Sequence, residues 1–194
     1  MASKREKAPA RHMRNIALVI CEGETEENYL SILKIWYKSP IKVLSHIEGT
    51  KVTQRLIDSR TNELKISKRD KLKVFLMYDM DVPAINKKLL ACKAEKLLSN
   101  PCIELWLLLH AKNQKTALST KEVLSELKKS DSIWRNYNKS SFTATQKEFL
   151  KQNKDLAISR ATMLKELENP SSGIYQLLNI LGGTGNGSPI NQED

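Results

Sequence analysis

Two short apolar runs mark the first half of the chain, and both end in acid. Ile16-Ala17-Leu18-Val19-Ile20-Cys21 stops at Glu22-Gly23-Glu24, and Val74-Phe75-Leu76-Met77-Tyr78 stops at Asp79-Met80-Asp81. Unbroken apolar runs of this length read as strands buried on both faces, as in a parallel sheet. After the first run the period changes. Tyr29, Ile32, Leu33 and Trp36 recur at i, i+3, i+4 and i+7, which is one buried face of a helix. Thr25 is its expected cap, Glu26 and Glu27 suit its first turn, and Pro40 ends it. Residues 41–44 read as a weaker strand. Val52, Leu56 and Ile57 predict a helix carrying Lys51 and Arg55, and residues 61–71 read as a charged loop. A helix over 84–92 and a further core strand over 94–99 follow.

The stretch Ser99-Asn100-Pro101-Cys102-Ile103-Glu104-Leu105-Trp106-Leu107-Leu108-Leu109-His110 is apolar nearly all round, so it predicts a deeply buried helix. Asn100 is its expected cap and Pro101 its first residue. Ser119-x-x-Glu122 and Thr143-x-x-Gln146 are capping boxes that start two more helices. The second is read as long, with Leu150, Ala157, Ala161 and Leu164 on one face and Asn169-Pro170 at its end. A short helix over 174–181 closes at Gly182-Gly183. Strand-helix alternation followed by helices predicts an α/β fold: a mainly parallel central sheet flanked by helices, with C-terminal helical additions. Residues 1–14 read as a basic disordered arm, 15–181 as a single domain and 182–194 as a flexible tail.

Charge changes the picture more than composition does. At 40% apolar and 28% charged residues the chain has the balance of an ordinary globular domain. No apolar run approaches the roughly 20 residues of a membrane span, so no membrane partner is expected. Cys21, Cys92 and Cys102 are scattered and form no CxxC, which points to a reducing cytoplasm and away from a disulfide framework or a zinc site. The net charge is +10, and Lys4, Arg5, Lys7, Arg11 and Arg14 face only Glu6 in the first arm. Such an excess suits a polyanion, most simply nucleic acid, with Lys51 and Arg55 as candidate phosphate contacts. The plainer alternative is a basic tail that serves solubility alone.

The acidic strand ends carry the candidate chemistry. Asp79 and Asp81 lie two residues apart, about 6.6 Å along an extended chain and on the same face. Two carboxylates that close are costly unless a cation joins them, and hard oxygen donors suit Mg²⁺ or Mn²⁺. Glu22 ends the other strand and can complete the site. Glu26, one helical turn on, reaches the same ion or a second, and two ions about 4 Å apart would suit phosphodiester cleavage. The metal candidates are therefore Glu22, Glu26, Asp79 and Asp81, with Glu22, Asp79 and Glu104 as catalytic candidates. Alternatively, Asp79 caps a helix and Asp81 sits in a solvated turn. Glu104 stands in an otherwise apolar helix, so it either holds a metal-bound water or pairs with a buried Lys or Arg. His110 is read as a core or last-turn histidine, or as a functional one. No Ser-His-Asp arrangement, GxGxxG or P-loop is present.

Cys21-Glu22-Gly23-Glu24-Thr25-Glu26, Tyr78-Asp79-Met80-Asp81, Ser99-Asn100-Pro101-Cys102-Ile103-Glu104-Leu105-Trp106 with His110, and Asn169-Pro170-Ser171-Ser172-Gly173-Ile174-Tyr175 together resemble the RloB-like family, in order, over about residues 15 to 181. Ile103 stands where that family usually has an aromatic residue, and Met80 where the middle of the DxD is often polar or basic. The resemblance implies a Toprim-type catalytic fold, with Glu22 in acid-base work, Asp79 and Asp81 on Mg²⁺, and Glu26 as the second glutamate of the nuclease pattern. It further implies an anti-phage or abortive-infection setting, with an ATPase as a possible partner protein. The expectation is a Mg²⁺- or Mn²⁺-dependent nuclease using one or two ions. The alternatives are a non-catalytic nucleic-acid-binding or sensor subunit, and a nucleotidyl transferase.

Overall fold

The computed structural model describes residues 15–39 and 41–182. The expected basic arm, the helix stop at Pro40 and all but the first residue of the expected tail lie outside the described residues. The two apolar runs form β1 (Asn15–Cys21) and β3 (Lys71–Met77), which pair in parallel at the centre of a four-stranded sheet. With β2 (Lys42–Ile47) and β4 (Glu95–Lys96) the order is β2-β1-β3-β4, and every pairing is parallel. Parallel neighbours need crossover helices, and these cover both faces. On one face Ala17, Val19, Cys21, Phe75 and Met77 pack against α1 (Glu24–Tyr37) through Tyr29 and Leu33. On the other, Leu18, Ile20, Leu76 and Tyr78 meet Ile57 of α2 (Gln54–Glu63) and Leu89 of α3 (Pro83–Ala91). Burial on two sides is why β1 and the second half of β3 lack alternation, while Lys71 to Val74 alternate between exposed and half-buried.

The second half is helical, as expected. A short antiparallel pair, β5 (Ser99–Asn100) with β6 (Ser171–Ser172), frames α4 (Ile103–Ala111), whose residues Ile103 to His110 are all buried. Around α4 stand α5 (Thr120–Ser130), α6 (Ala144–Gln152), α7 (Lys154–Thr162) and α8 (Tyr175–Leu181). Both capping boxes form: Ser119 and Thr143 accept from the Glu122 and Gln146 N–H groups. Within the described residues, no helix is long and apolar enough to cross a membrane. Cys21, Cys92 and Cys102 are free and buried.

Five local expectations are corrected. Asn100 does not cap α4. It is extended in β5, its side chain donates to the Leu167 carbonyl (2.9 Å), and Cys102 is the cap. Thr25 does not cap α1. Gly23 does, the Glu26 carboxylate accepts the Gly23 N–H, and Thr25 Oγ1 donates to the Lys139 carbonyl (3.1 Å). The strand expected over 94–99 follows β3 through Leu97 N–H to Leu76 C=O (2.8 Å) and Ser99 N–H to Tyr78 C=O (3.0 Å), but its end is diverted into β5. The long helix after Thr143 breaks at Asn153, whose side-chain amide donates to the Phe149 carbonyl (2.9 Å). The loop expected over 61–71 begins later, because α2 runs to Glu63.

Candidate metal centre at the strand ends

Register places the chemistry. Cys21 is level with Met77, and the Glu22 N–H donates to the Met77 carbonyl (3.1 Å), so both acidic exits leave the sheet side by side. Glu22 Oε2 accepts the Asp79 N–H (3.0 Å). Asp79 Oδ1 accepts the Ile103 N–H (2.7 Å), which seats the carboxylate on the first turn of α4, where the helix dipole favours an anion. Glu26 Oε2 accepts the Gly23 N–H (3.0 Å). In each case a backbone N–H anchors the carboxylate and fixes its direction.

Glu104, one residue into α4, is buried at 1% exposure. Its partners come from the loop before α6: Lys139 Nζ lies 3.1 Å from Oε1, and the Tyr137 hydroxyl donates to Oε1 at 3.3 Å. Donor atoms of Asp79, Cys102 and Glu104 all lie within 4.8 Å of one another. Above them opens a cleft of about 550 Å³ lined by Glu22, Gly23, Glu24, Thr25, Glu26, Asp79, Asn138, Lys139 and Ser140.

The electrostatics follow from crowding. Burial first, and then the charges of Glu26, Glu104 and Glu22, push the Asp79 carboxyl well above the usual carboxylate range. Burial also raises Glu22, against the opposing Asp79 N–H, and the charge of Asp81 adds to the rise. Glu26 is raised chiefly by burial. Burial works against the Lys139 ammonium, yet the adjacent Glu104 carboxylate outweighs it and holds that group above its ordinary value. Cys102 is pushed up by burial, then by Glu104 and Asp79, so its sulfur is a thiol. Asp79 and Glu104 have donor atoms within 4.8 Å of each other, and Glu22 and Glu26 add their charge at Asp79, a crowding that a divalent cation would relieve.

The structure thus gathers Glu22, Glu26 and Asp79 on the wall of one cleft, with Glu104 buried beside Asp79 and behind Lys139. Asp81 stands at the rim: it is exposed and accepts from Thr120 Oγ1 (3.3 Å), while its charge still reaches Glu22. Lys51 is exposed on a single turn, Gly49–Lys51, whose first N–H donates to the Glu22 carbonyl (3.1 Å). Arg55 is not in the cleft and lines a separate groove on α2 with Arg60 and Glu63. His110 is away from the chemistry: Nδ1 bonds the Trp106 carbonyl (2.9 Å), and burial lowers its pKa to about 4, so it is neutral. Sequence reasoning missed Cys102, Tyr137 and Lys139. Cys102 is adjacent to the acids, but a lone cysteine carries no signal. Lys139 lies in a polar turn that nothing in its spacing singles out.

The RloB-like protein family model matches residues 17–181. The chain belongs to the RloB-like family. That match spans both acidic strand ends, α4 and β6, so the RloB-like region contains every residue of the cleft. No curated protein matches the chain. Among solved structures it is similar to the C-terminal region of the Burkholderia pseudomallei OLD protein, at 12% identity and a TM-score of 0.37, over 87% of this chain and 97% of that one.

Proposed function

We propose that this RloB-like chain is a Mg²⁺- or Mn²⁺-dependent nuclease that hydrolyses phosphodiester bonds of DNA or RNA in a bacterial anti-phage defence system. The observation that carries this reading is the convergence of Glu22, Glu26 and Glu104 on Asp79, whose carboxyl is driven well above its usual range. Asp79, Glu104, Glu22 and Glu26 would hold the ion, with Asp81 at the rim. When bound, the ion would supply Lewis-acid polarisation of a phosphoryl oxygen and would lower the pKa of a water so that it could be deprotonated to the nucleophile. Glu22, with its raised proton affinity, exchanges a proton at the cleft. The Lys139 ammonium faces the same cleft and offsets negative charge on a phosphate. Lys51 and Arg55 bind the nucleic-acid backbone outside it. A Toprim-type catalytic fold and the defence setting are what the RloB-like family implies for this chain.

The test is cleavage of single- and double-stranded DNA, RNA and tRNA with Mn²⁺ or Mg²⁺ against EDTA. The wild type cuts at least one of these only with metal, and Asp79→Ala does not. Full activity in Asp79→Ala rejects the site assignment. One observation favours a second reading: Lys139 already neutralises Glu104 without any ion. On that reading the chain is a non-catalytic nucleic-acid-binding or sensor subunit working with an ATPase partner. It predicts salt-sensitive binding and no cleavage with or without metal. On either reading, replacing Lys51 and Arg55 together by Ala lowers the log–log salt slope of binding by about two.

A further inference from the structure

We propose that Cys102 gives this centre a sulfur donor, so that thiophilic divalent cations such as Co²⁺, Zn²⁺ and Cd²⁺ are held by its thiolate together with Asp79 and Glu104, whereas Mg²⁺ uses the carboxylates alone. The inference rests on the reading that these acids hold a divalent ion, and adds a second, overlapping donor set to the same cleft.

Three observations carry it. First, the donor atoms of Asp79, Cys102 and Glu104 lie within 4.8 Å of one another. Donors about 2.0–2.3 Å from a shared ion sit about 3–4 Å apart, so small side-chain rotations bring the three together. Second, Cys102 occupies the cap of α4 without a regular cap bond, and its sulfur faces the Glu104 carboxylate and N–H. Third, the thiol is fully buried, with Leu105 and Val123 on its apolar side and the acids within reach. The carboxylates are steered by other groups: Asp79 by the Ile103 N–H, and Glu104 by Tyr137 and the half-exposed Lys139. An ion can displace the Lys139 ammonium into the cleft without unmaking the fold.

Binding forms one metal–sulfur bond and breaks the S–H bond, whose proton passes to water, and nothing is oxidised or reduced. Mg²⁺ is too hard to displace that proton, while Co²⁺, Zn²⁺ and Cd²⁺ favour sulfur.

The experiment uses the full chain, stripped of metal and titrated separately with Co²⁺, followed by absorption, and with Mn²⁺, followed by electron paramagnetic resonance of the free ion. The wild type is expected to show a near-ultraviolet sulfur-to-cobalt charge-transfer band. Cys102→Ser, shown folded by circular dichroism, loses it, while Cys21 and Cys92 remain as internal controls. A band that survives in Cys102→Ser overturns the proposal. So does a wild type that binds Mn²⁺ and Co²⁺ without a band, although the metal reading then stands. Binding of neither ion removes both. Should Cys102→Ser not fold, the ¹¹³Cd resonance of the wild type decides: a position shifted as for sulfur ligation supports the proposal, and an all-oxygen position refutes it.

Discussion

Replacing Asp79 by Asn should make the metal-free protein more stable. Asn keeps the acceptor for the Ile103 N–H, so the bond at the start of α4 survives and only the charge is removed. The nearest donor atom of Glu104 lies within 4.8 Å. At an effective dielectric of about 20, two unit charges about 5 Å apart repel by about 3 kcal/mol. Lys139 offsets part of the Glu104 field, which leaves about 1–2 kcal/mol to recover. In a chain of this size that is a rise in melting temperature of about 2–8 °C. The pH dependence has a definite sign. Asp79, Glu22 and Glu26 have folded pKa values above their ordinary ones, so the native state binds more protons than the unfolded chain between the two values. Metal-free stability therefore falls as pH rises through that window and is flat above it. Asp79→Asn should flatten the fall. Saturating Mn²⁺ should reverse the ranking, since an ion at about 100 times its Kd adds about 2.7 kcal/mol to the wild type and nothing to a variant that cannot bind it. Chemical denaturation across pH, with EDTA and with Mn²⁺, reads all of this. An Asp79→Asn variant less stable than wild type in EDTA at pH 8, with the slope unchanged, would refute the crowding argument.

Other consequences follow from the same contacts. His110 opposes the acids: its folded pKa of about 4 lies below the ordinary 6.5, so its contribution is lost as pH falls through that interval, by about 3 kcal/mol. His110→Phe should lack that acid loss, and denaturation at pH 4 and pH 7 measures the difference. Lys139→Ala strips the buried Glu104 of its counter-ion and should cost about 1–3 kcal/mol, below the full buried-pair value because Lys139 is 55% exposed. Adding Glu104→Gln to Lys139→Ala should recover most of that, and a double-mutant cycle that shows no coupling would contradict the pairing. At Gly173 a Cβ would lie 3.1 Å from the Lys96 carbonyl and 3.5 Å from Leu97 Cα. Gly173→Ala should therefore destabilise by about 1–3 kcal/mol in urea. It should also weaken Mn²⁺ binding in a titration, because β5 holds the loop after Asp79 through Met80 N–H to Ser99 C=O (2.9 Å).

What could be read in advance was set by local pattern. Ile16 to Cys21 and Phe75 to Tyr78 are buried, so their unbroken apolar character survives into the fold, and their acidic exits meet because parallel register aligns Cys21 with Met77. Glu22 and Asp79 were therefore legible as neighbours from pattern and topology together. A fully extended chain would put Asp81 beside Asp79 on one face. The strand ends at Met77, Met80 N–H turns to the Ser99 and Pro101 carbonyls, and Asp81 emerges at the rim beside Thr120. Asn100 and Thr25 have the right chemistry for helix caps, but tertiary partners claimed their side chains. Lys139 was out of reach of any local argument. It meets Glu104 from 35 residues away, and only the packing of the loop before α6 over α4 brings the two together. The cost of burying a lone carboxylate singles out Glu104, and Lys139 is its partner.

If distant carboxylates are gathered into one cation site, anomalous diffraction from a crystal of the full chain soaked in Mn²⁺ should show a peak beside the cleft within about 2.2 Å of oxygens from Asp79 and Glu104, with Glu22 or Glu26 completing the shell. A well-ordered cleft with no peak, or Mn²⁺ bound only at sites remote from these acids, would contradict it.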